Sequence, residues 1–103
     1  VILGTYEKQP ADSLDYDIDF SAILDAGDTL ASVGSPPVPT PLSVVVAPVG
    51  LTIGPTFVTE DGKTIKQWIS GGTNRITYKI TLTATTSAGR VKQVEFVVRV
   101  KDV

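Results

Sequence analysis

Hydrophobic and polar residues alternate along most of this chain, and the alternation has the period of two expected of strands. In "LDYDIDFS" Leu14, Tyr16, Ile18 and Phe20 point one way, and Asp15, Asp17, Asp19 and Ser21 point the other. Farther on, Ile76, Tyr78, Ile80, Leu82 and Ala84 share one face, while Thr77, Lys79, Thr81, Thr83 and Thr85 share the opposite one. In the last stretch, Val94, Phe96, Val98 and Val100 oppose Gln93, Glu95, Arg99 and Lys101; Val97 breaks the pattern and is expected to cover an edge or a contact. Each segment reads as a strand with one buried face.

The segments between them read as shorter strands and turns. The stretch before Ser13 predicts a short strand or an arm. "DFSAILDAG" predicts at most one helical turn, and "LDAGD" a turn with Gly27 at positive φ. "TLASV" predicts a short strand. The run Gly34 to Pro41, with four prolines, predicts an extended polyproline-like loop, because proline lacks the amide donor. "LSVVVAPVGLTIG" predicts two strands around Pro48 and Gly50, and "PTFVTEDGKTIKQWIS" a hairpin tipped by Glu60, Asp61 and Gly62. No segment has the pattern of a longer amphipathic helix, and no internal repeat is visible. About seven short strands with regular turns predict an all-β antiparallel sandwich, and 103 residues suit a single domain over 1–103.

Composition removes several function classes. The chain has no cysteine and no histidine, which excludes disulfides, thiolate or imidazole metal sites, and nucleophilic sites built on either residue. A net charge of −2 argues against general nucleic-acid affinity, and no apolar run reaches the roughly 20 residues of a membrane-spanning helix. No basic-then-apolar leader is visible, and the start at Val1 suggests a trimmed or processed end.

The charge is divided. Up to Gly34 seven acidic residues face Lys8 alone, and from Lys63 onward eight basic residues face Glu95 and Asp102. The simplest expectation is pairing within one domain; the sharper one is contact between copies or with a partner.

Candidate chemistry is sparse. Asp15, Asp17 and Asp19 share one strand face about 7 Å apart. A strand splays its carboxylates where a calcium loop gathers them, so a solvated or salt-bridged face is expected and no metal site. "SGGTNR" lacks the lysine and the following helix of a phosphate loop. Pro36 to Pro39 matches P-x-x-P, a pattern that plain loops often meet. The carboxylate pairs Asp25/Asp28 and Glu60/Asp61 have no aromatic platform for glycoside chemistry. The chain therefore reads as a non-enzyme with no catalytic, cofactor-binding or metal-binding residues and no cofactor. The candidate protein-contact residues are Asp15, Asp17, Asp19, Asn74, Arg75 and Arg90, taken from the acidic face and the loops. Lys8, Pro10, Lys101 and Asp102 are expected to guard strand edges. The core is expected to include Tyr16, Ile18, Trp68, Tyr78, Ile80, Leu82, Phe96 and Val98.

"ITYKITLTATTSAGRVKQVEFVVRV" resembles the last two strands of immunoglobulin-like and fibronectin-like sandwiches. The resemblance implies a tyrosine corner at Tyr78, with Ile80 where immunoglobulin domains carry a cysteine. Trp68 lies too near Tyr78 for the usual tryptophan strand and is placed on the strand before the penultimate one. A longer pattern, "KQPADSLDYDIDFSAIL", "GDTLASV", "GLTI" and "WISGGTNRITYKITLTATTSAGRVKQVEFVVRV", resembles a family of small virion proteins of tailed bacteriophages and prophages, of the fiber-tail adaptor type. Phe20 stands where that family often has tryptophan, "NRI" replaces a commoner glycine-containing turn, and the proline-rich segment looks like an insertion.

That resemblance implies a non-catalytic structural component of the tailed virion. It would join tail or neck components and dock a fiber or a neighbouring protein. Its partners would be other virion proteins and, on the particle, copies of itself, with no nucleic acid and no membrane. It would be made in the bacterial cytoplasm and found in the virion tail or neck. The alternative is an extracellular binding or spacer module of a bacterial surface protein, such as a carbohydrate binder. The inward placement of most aromatic residues counts against that.

Overall fold

A computed structural model describes residues 2–59 and 61–101, so the expectations for Glu60 and Asp102 lie outside the described residues. The strands are β1 (Ile2–Lys8), β2 (Ser13–Asp19), β3 (Ser32–Val33), β4 (Val38–Pro39), β5 (Leu42–Ala47), β6 (Leu51–Val58), β7 (Thr64–Gly71), β8 (Thr77–Thr85) and β9 (Val91–Val100). One sheet has the order β1-β9-β8-β5 and a second β2-β7-β6, while β3 and β4 form a small separate ribbon. All pairings are antiparallel except β1 with β9, which run parallel with Lys8 opposite Val100.

The two sheets close on the inward half of each alternating pattern. Tyr16, Ile18 and Phe20 of β2 and the residue after it meet Ile80, Leu82, Val94, Phe96 and Val98 of β8 and β9 in one hydrophobic cluster. The rings of Tyr6, Tyr16 and Phe96 form a triangle, with centroids 5.1 Å apart for the two tyrosines and 5.9 Å from each tyrosine to Phe96. A β-sandwich follows, because each sheet has one apolar face and only the other sheet can cover it. The outermost members of two ladders stay partly in solvent: Leu14 and Ile76 are exposed.

Four expectations change. The proline-rich segment is not a plain extended loop. Val38 and Pro39 pair with Val33 and Ser32, Pro39 is buried, and the Val58 amide donates to Pro37 O, so the ribbon closes over part of the β6 edge. Proline fits there because the ribbon has only edge strands. Pro39, in the pairing, does not present an open P-x-x-P ligand.

Trp68 does not join the buried core. β7 turns Ile65, Gln67 and Ile69 inward, which leaves Trp68 half-buried on the outer face against Gly54. The inward polar residue has a local reason. β6 carries a register shift between Ile53 and Thr56, and Gln67 fills it. Its Nε2 donates to Gly54 O at 3.0 Å and Trp68 O at 2.9 Å, and its Oε1 accepts from the Thr56 hydroxyl.

Lys8 is buried rather than exposed as an edge guard. Val97 also covers no edge: β9 is an inner strand, and Val97 lies between Thr5 of β1 and Lys79 of β8.

The remaining turns follow expectation. Gly27 has φ +78°, and the Leu24 amide donates to Phe20 O in a single turn. β6 and β7 form the expected hairpin, and "SAGR" joins β8 to β9.

Candidate interaction surfaces

The candidate contact residues fall on three separate surfaces. Asp15, Asp17 and Asp19 lie exposed on the outer face of β2, opposite the side that carries Tyr16 and Ile18 into the core. Lys66 of the neighbouring β7 answers two of them, with Nζ 3.3 Å from Asp15 and 4.0 Å from Asp17. Asp19 accepts a hydrogen bond from the Ser21 amide at 2.8 Å, which holds its carboxyl below the usual range. Among the described residues no three acidic side chains gather as a metal ion would require.

Arg90 lies at the end of the sandwich formed by the β8–β9 turn and the loop through Asp25 and Asp28. Its Nε sits 2.6 Å from Asp25, and its terminal nitrogen 3.4 Å from Asp28, which is itself buried. Lys92 approaches Asp25 at 3.8 Å. The Thr86 hydroxyl lowers the Asp28 pKa most, helped by the amides of Thr29 and Ala88 and by Arg90. Arg90 is therefore tied to its own fold, and the acidic first part of the chain meets the basic last part within the domain.

Asn74 and Arg75 lie at the opposite end, in the β7–β8 loop. The backbone fixes Arg75 tightly: its amide donates to Val100 O at 2.7 Å, and its φ is +71°. Arg75 shares a shallow cleft of about 410 Å³ with Glu7, Thr77, Arg99 and Lys101. Arg99 stands beside Glu7 on one side and Thr77 on the other, so the cleft opens on the outer face of the four-stranded sheet. Among the described residues no carboxylate lies within 4.0 Å of a charged nitrogen of Arg75, Arg99 or Lys101. The alternation along β9 places Arg99 and Lys101 on this face; nothing in the local sequence joins them to Arg75, since that contact depends on the loop closing back on Val100.

Two buried groups organise this end. The Lys8 ammonium donates to Gln9 O and Gly71 O, each at 2.6 Å, and to Pro10 O at 3.3 Å. Burial lowers its pKa, partly offset by Asp12. The Tyr78 hydroxyl accepts from the Thr73 amide at 3.0 Å, which is the corner bond expected of that tyrosine. Together they anchor the β1–β2 turn and the β7–β8 loop beside the cleft.

Comparison with individual characterised proteins gives no match. A family model, that of the podophage GP4 fiber-tail adaptor protein gp77, matches residues 8–99, from the end of β1 almost to the end of β9. The match takes in both sheets, the acidic face of β2 and most of the basic cleft, and on it the chain belongs to the phage fiber-tail adaptor family, whose role is structural and lies in the virion tail.

Proposed function

We propose that this chain is a non-catalytic module that joins components of the phage tail and docks a fiber or neighbouring tail protein on its outer surfaces. The single observation that carries this reading is the adaptor-family match across residues 8–99. That match favours a tail-joining role over the extracellular surface-module alternative. The sandwich surface supports a role without catalysis: its clustered charges lie on open faces and strand ends rather than in an enclosed site. Docking uses the acidic face Asp15, Asp17 and Asp19 and the loop residues Asn74 and Arg75, while Arg90 orders the opposite end. The partners are other tail proteins and copies of this chain on the particle, without nucleic acid or membrane. The chain is made in the bacterial cytoplasm and assembles into the tail or neck.

We read residues 1–103 as one immunoglobulin-like domain. Six strands support this. β2-β7-β6 and β5-β8-β9 follow the B-E-D and C-F-G orders of such sandwiches, with β1 joined to the second sheet. Immunogold labelling of purified phage particles tests the function. Gold at the neck, tail tip or fiber roots is expected; bare particles with antigen left in the cell or on its surface would overturn it.

A further inference from the structure

We propose that the basic cleft of Arg75, Arg99 and Lys101 docks the acidic β2 face of a second copy of this chain, in a head-to-tail contact. Three observations converge. First, of the five other late cations the chain pairs four internally: Lys66, Lys79, Arg90 and Lys92 each have a carboxylate within 4.0 Å, and Lys63 has none among the described residues. Arg75, Arg99 and Lys101 have none among the described residues, although they sit close together in one cleft.

Second, the complement lies on the same molecule but out of reach. Asp15, Asp17 and Asp19 are on the outer face of the three-stranded sheet, and Lys66 is the cation that answers the first two. The cleft opens on the outer face of the four-stranded sheet. With the core between them, one copy cannot close this pairing on itself, whereas a second copy can. Third, the spacings agree. Arg99 and Lys101 are two residues apart on an extended chain, as are successive members of the aspartate ladder, so both sets repeat at about 7 Å.

A contact between two different surfaces leaves one of each unused at the ends. It therefore propagates into a ring or an open array rather than stopping at a two-fold dimer. This deepens the self-assembly part of the proposed function and rests on that reading. Its test uses solution association, so a monomer in solution and an unlabelled particle are separate failures.

The experiment is analytical ultracentrifugation of the chain up to about millimolar concentration, at low and at high ionic strength. Mass should rise with concentration at low salt and return to that of the monomer at high salt. Arg99→Glu/Lys101→Glu and Asp15→Lys/Asp17→Lys should each be monomeric with unchanged circular dichroism. Their equimolar mixture restores the native pair of surfaces and adds a charge-swapped pair, so it should regain the association that each variant alone has lost, and lose it again at high salt. Arg75→Asn, which suits the positive φ, and Asp15→Asn/Asp17→Asn serve as milder versions should a reversal fail to fold. A wild-type chain that stays monomeric at low salt, association that persists in either folded variant, or a mixture of the two reversals that stays monomeric would each overturn the proposal.

Discussion

The Tyr78 hydroxyl and the Thr73 amide, 3.0 Å apart, tie the first residues of the β7–β8 loop to the strand that follows it. The neighbouring backbone is built around that ring. A Cβ on Gly50, whose φ is +152°, would lie 2.7 Å from the Tyr78 hydroxyl oxygen. Tyr78→Phe should destabilise the fold by about 1 kcal/mol, because it leaves the Thr73 amide without its acceptor. Gly50→Ala should cost more, roughly 2 kcal/mol, since it combines the clash with a φ that alanine rarely adopts. Urea titrations of both variants measure this.

Tyr16 provides the opposite case. Its hydroxyl is buried with no hydrogen-bond partner among the described residues, and burial raises its pKa. Tyr16→Phe should leave stability unchanged or raise it by up to about 1 kcal/mol, because an unsatisfied polar group is removed and the ring retained. Equal losses for Tyr16→Phe and Tyr78→Phe would show that the two hydroxyls are not distinguished in this way.

Gln67 is fully buried, and its amide satisfies the irregular backbone of β6. Gln67→Leu keeps much of the volume but strands Gly54 O and the Thr56 hydroxyl. A loss of about 2 kcal/mol is expected, with faster amide exchange in β6 and β7 than in β8 and β9. Uniform exchange across both sheets would contradict a local role.

Lys8→Met should keep the buried stem and remove the three bonds of the ammonium. The Gln9 and Pro10 carbonyls belong to the turn after β1, whereas Gly71 O lies at the last residue of β7. The expected cost is roughly 1–2 kcal/mol, with enhanced exchange confined to the β1–β2 turn and the end of β7.

The Asp28 carboxyl has a pKa lowered by the Thr86 hydroxyl first, then by two amides and Arg90. A carboxylate with a depressed folded pKa binds fewer protons in the folded state than in the unfolded one. Its contribution is present above the unfolded value of about 3.8 and is lost as pH falls through the lower folded value. Stability should therefore fall steeply below about pH 4. Asp28→Asn should lower stability at neutral pH and make that acid slope shallower. An unchanged slope would remove Asp28 from the acid response.

Much of the fold was legible because a one-sided strand writes its burial into alternate residues. Tyr16, Ile18 and Phe20, and likewise Tyr78, Ile80 and Leu82, face the core as their spacing predicts. Trp68 and Gln67 show where residue type misleads. The register shift in β6 makes a polar residue the better inward neighbour, and a shift in a partner strand leaves no mark on β7 itself. Lys8 misleads in the same way, because the carbonyls that hold it come from the turn after β1 and from the end of β7, far apart in sequence. The aspartate ladder was visible as a pattern. The basic cleft was only half visible, since Arg75 reaches Arg99 and Lys101 through loop closure and not through any local repeat.

The parallel pairing of β1 with β9 has a mechanical consequence. Because the two strands run in the same direction, the start of β1, opposite Glu95, and the end of β9 lie at opposite ends of the row of bonds that the strands share, about 17 Å apart along it. Tension between those points is directed along both strands and loads their shared hydrogen bonds together, in shear. A hairpin pulled from its open end would instead release its bonds one at a time. The Lys101 amide, donating to Lys8 O at 2.8 Å, extends that shared row by one further bond past the end of β9. A module pulled at these two ends would therefore resist force as a clamp rather than open as a zipper.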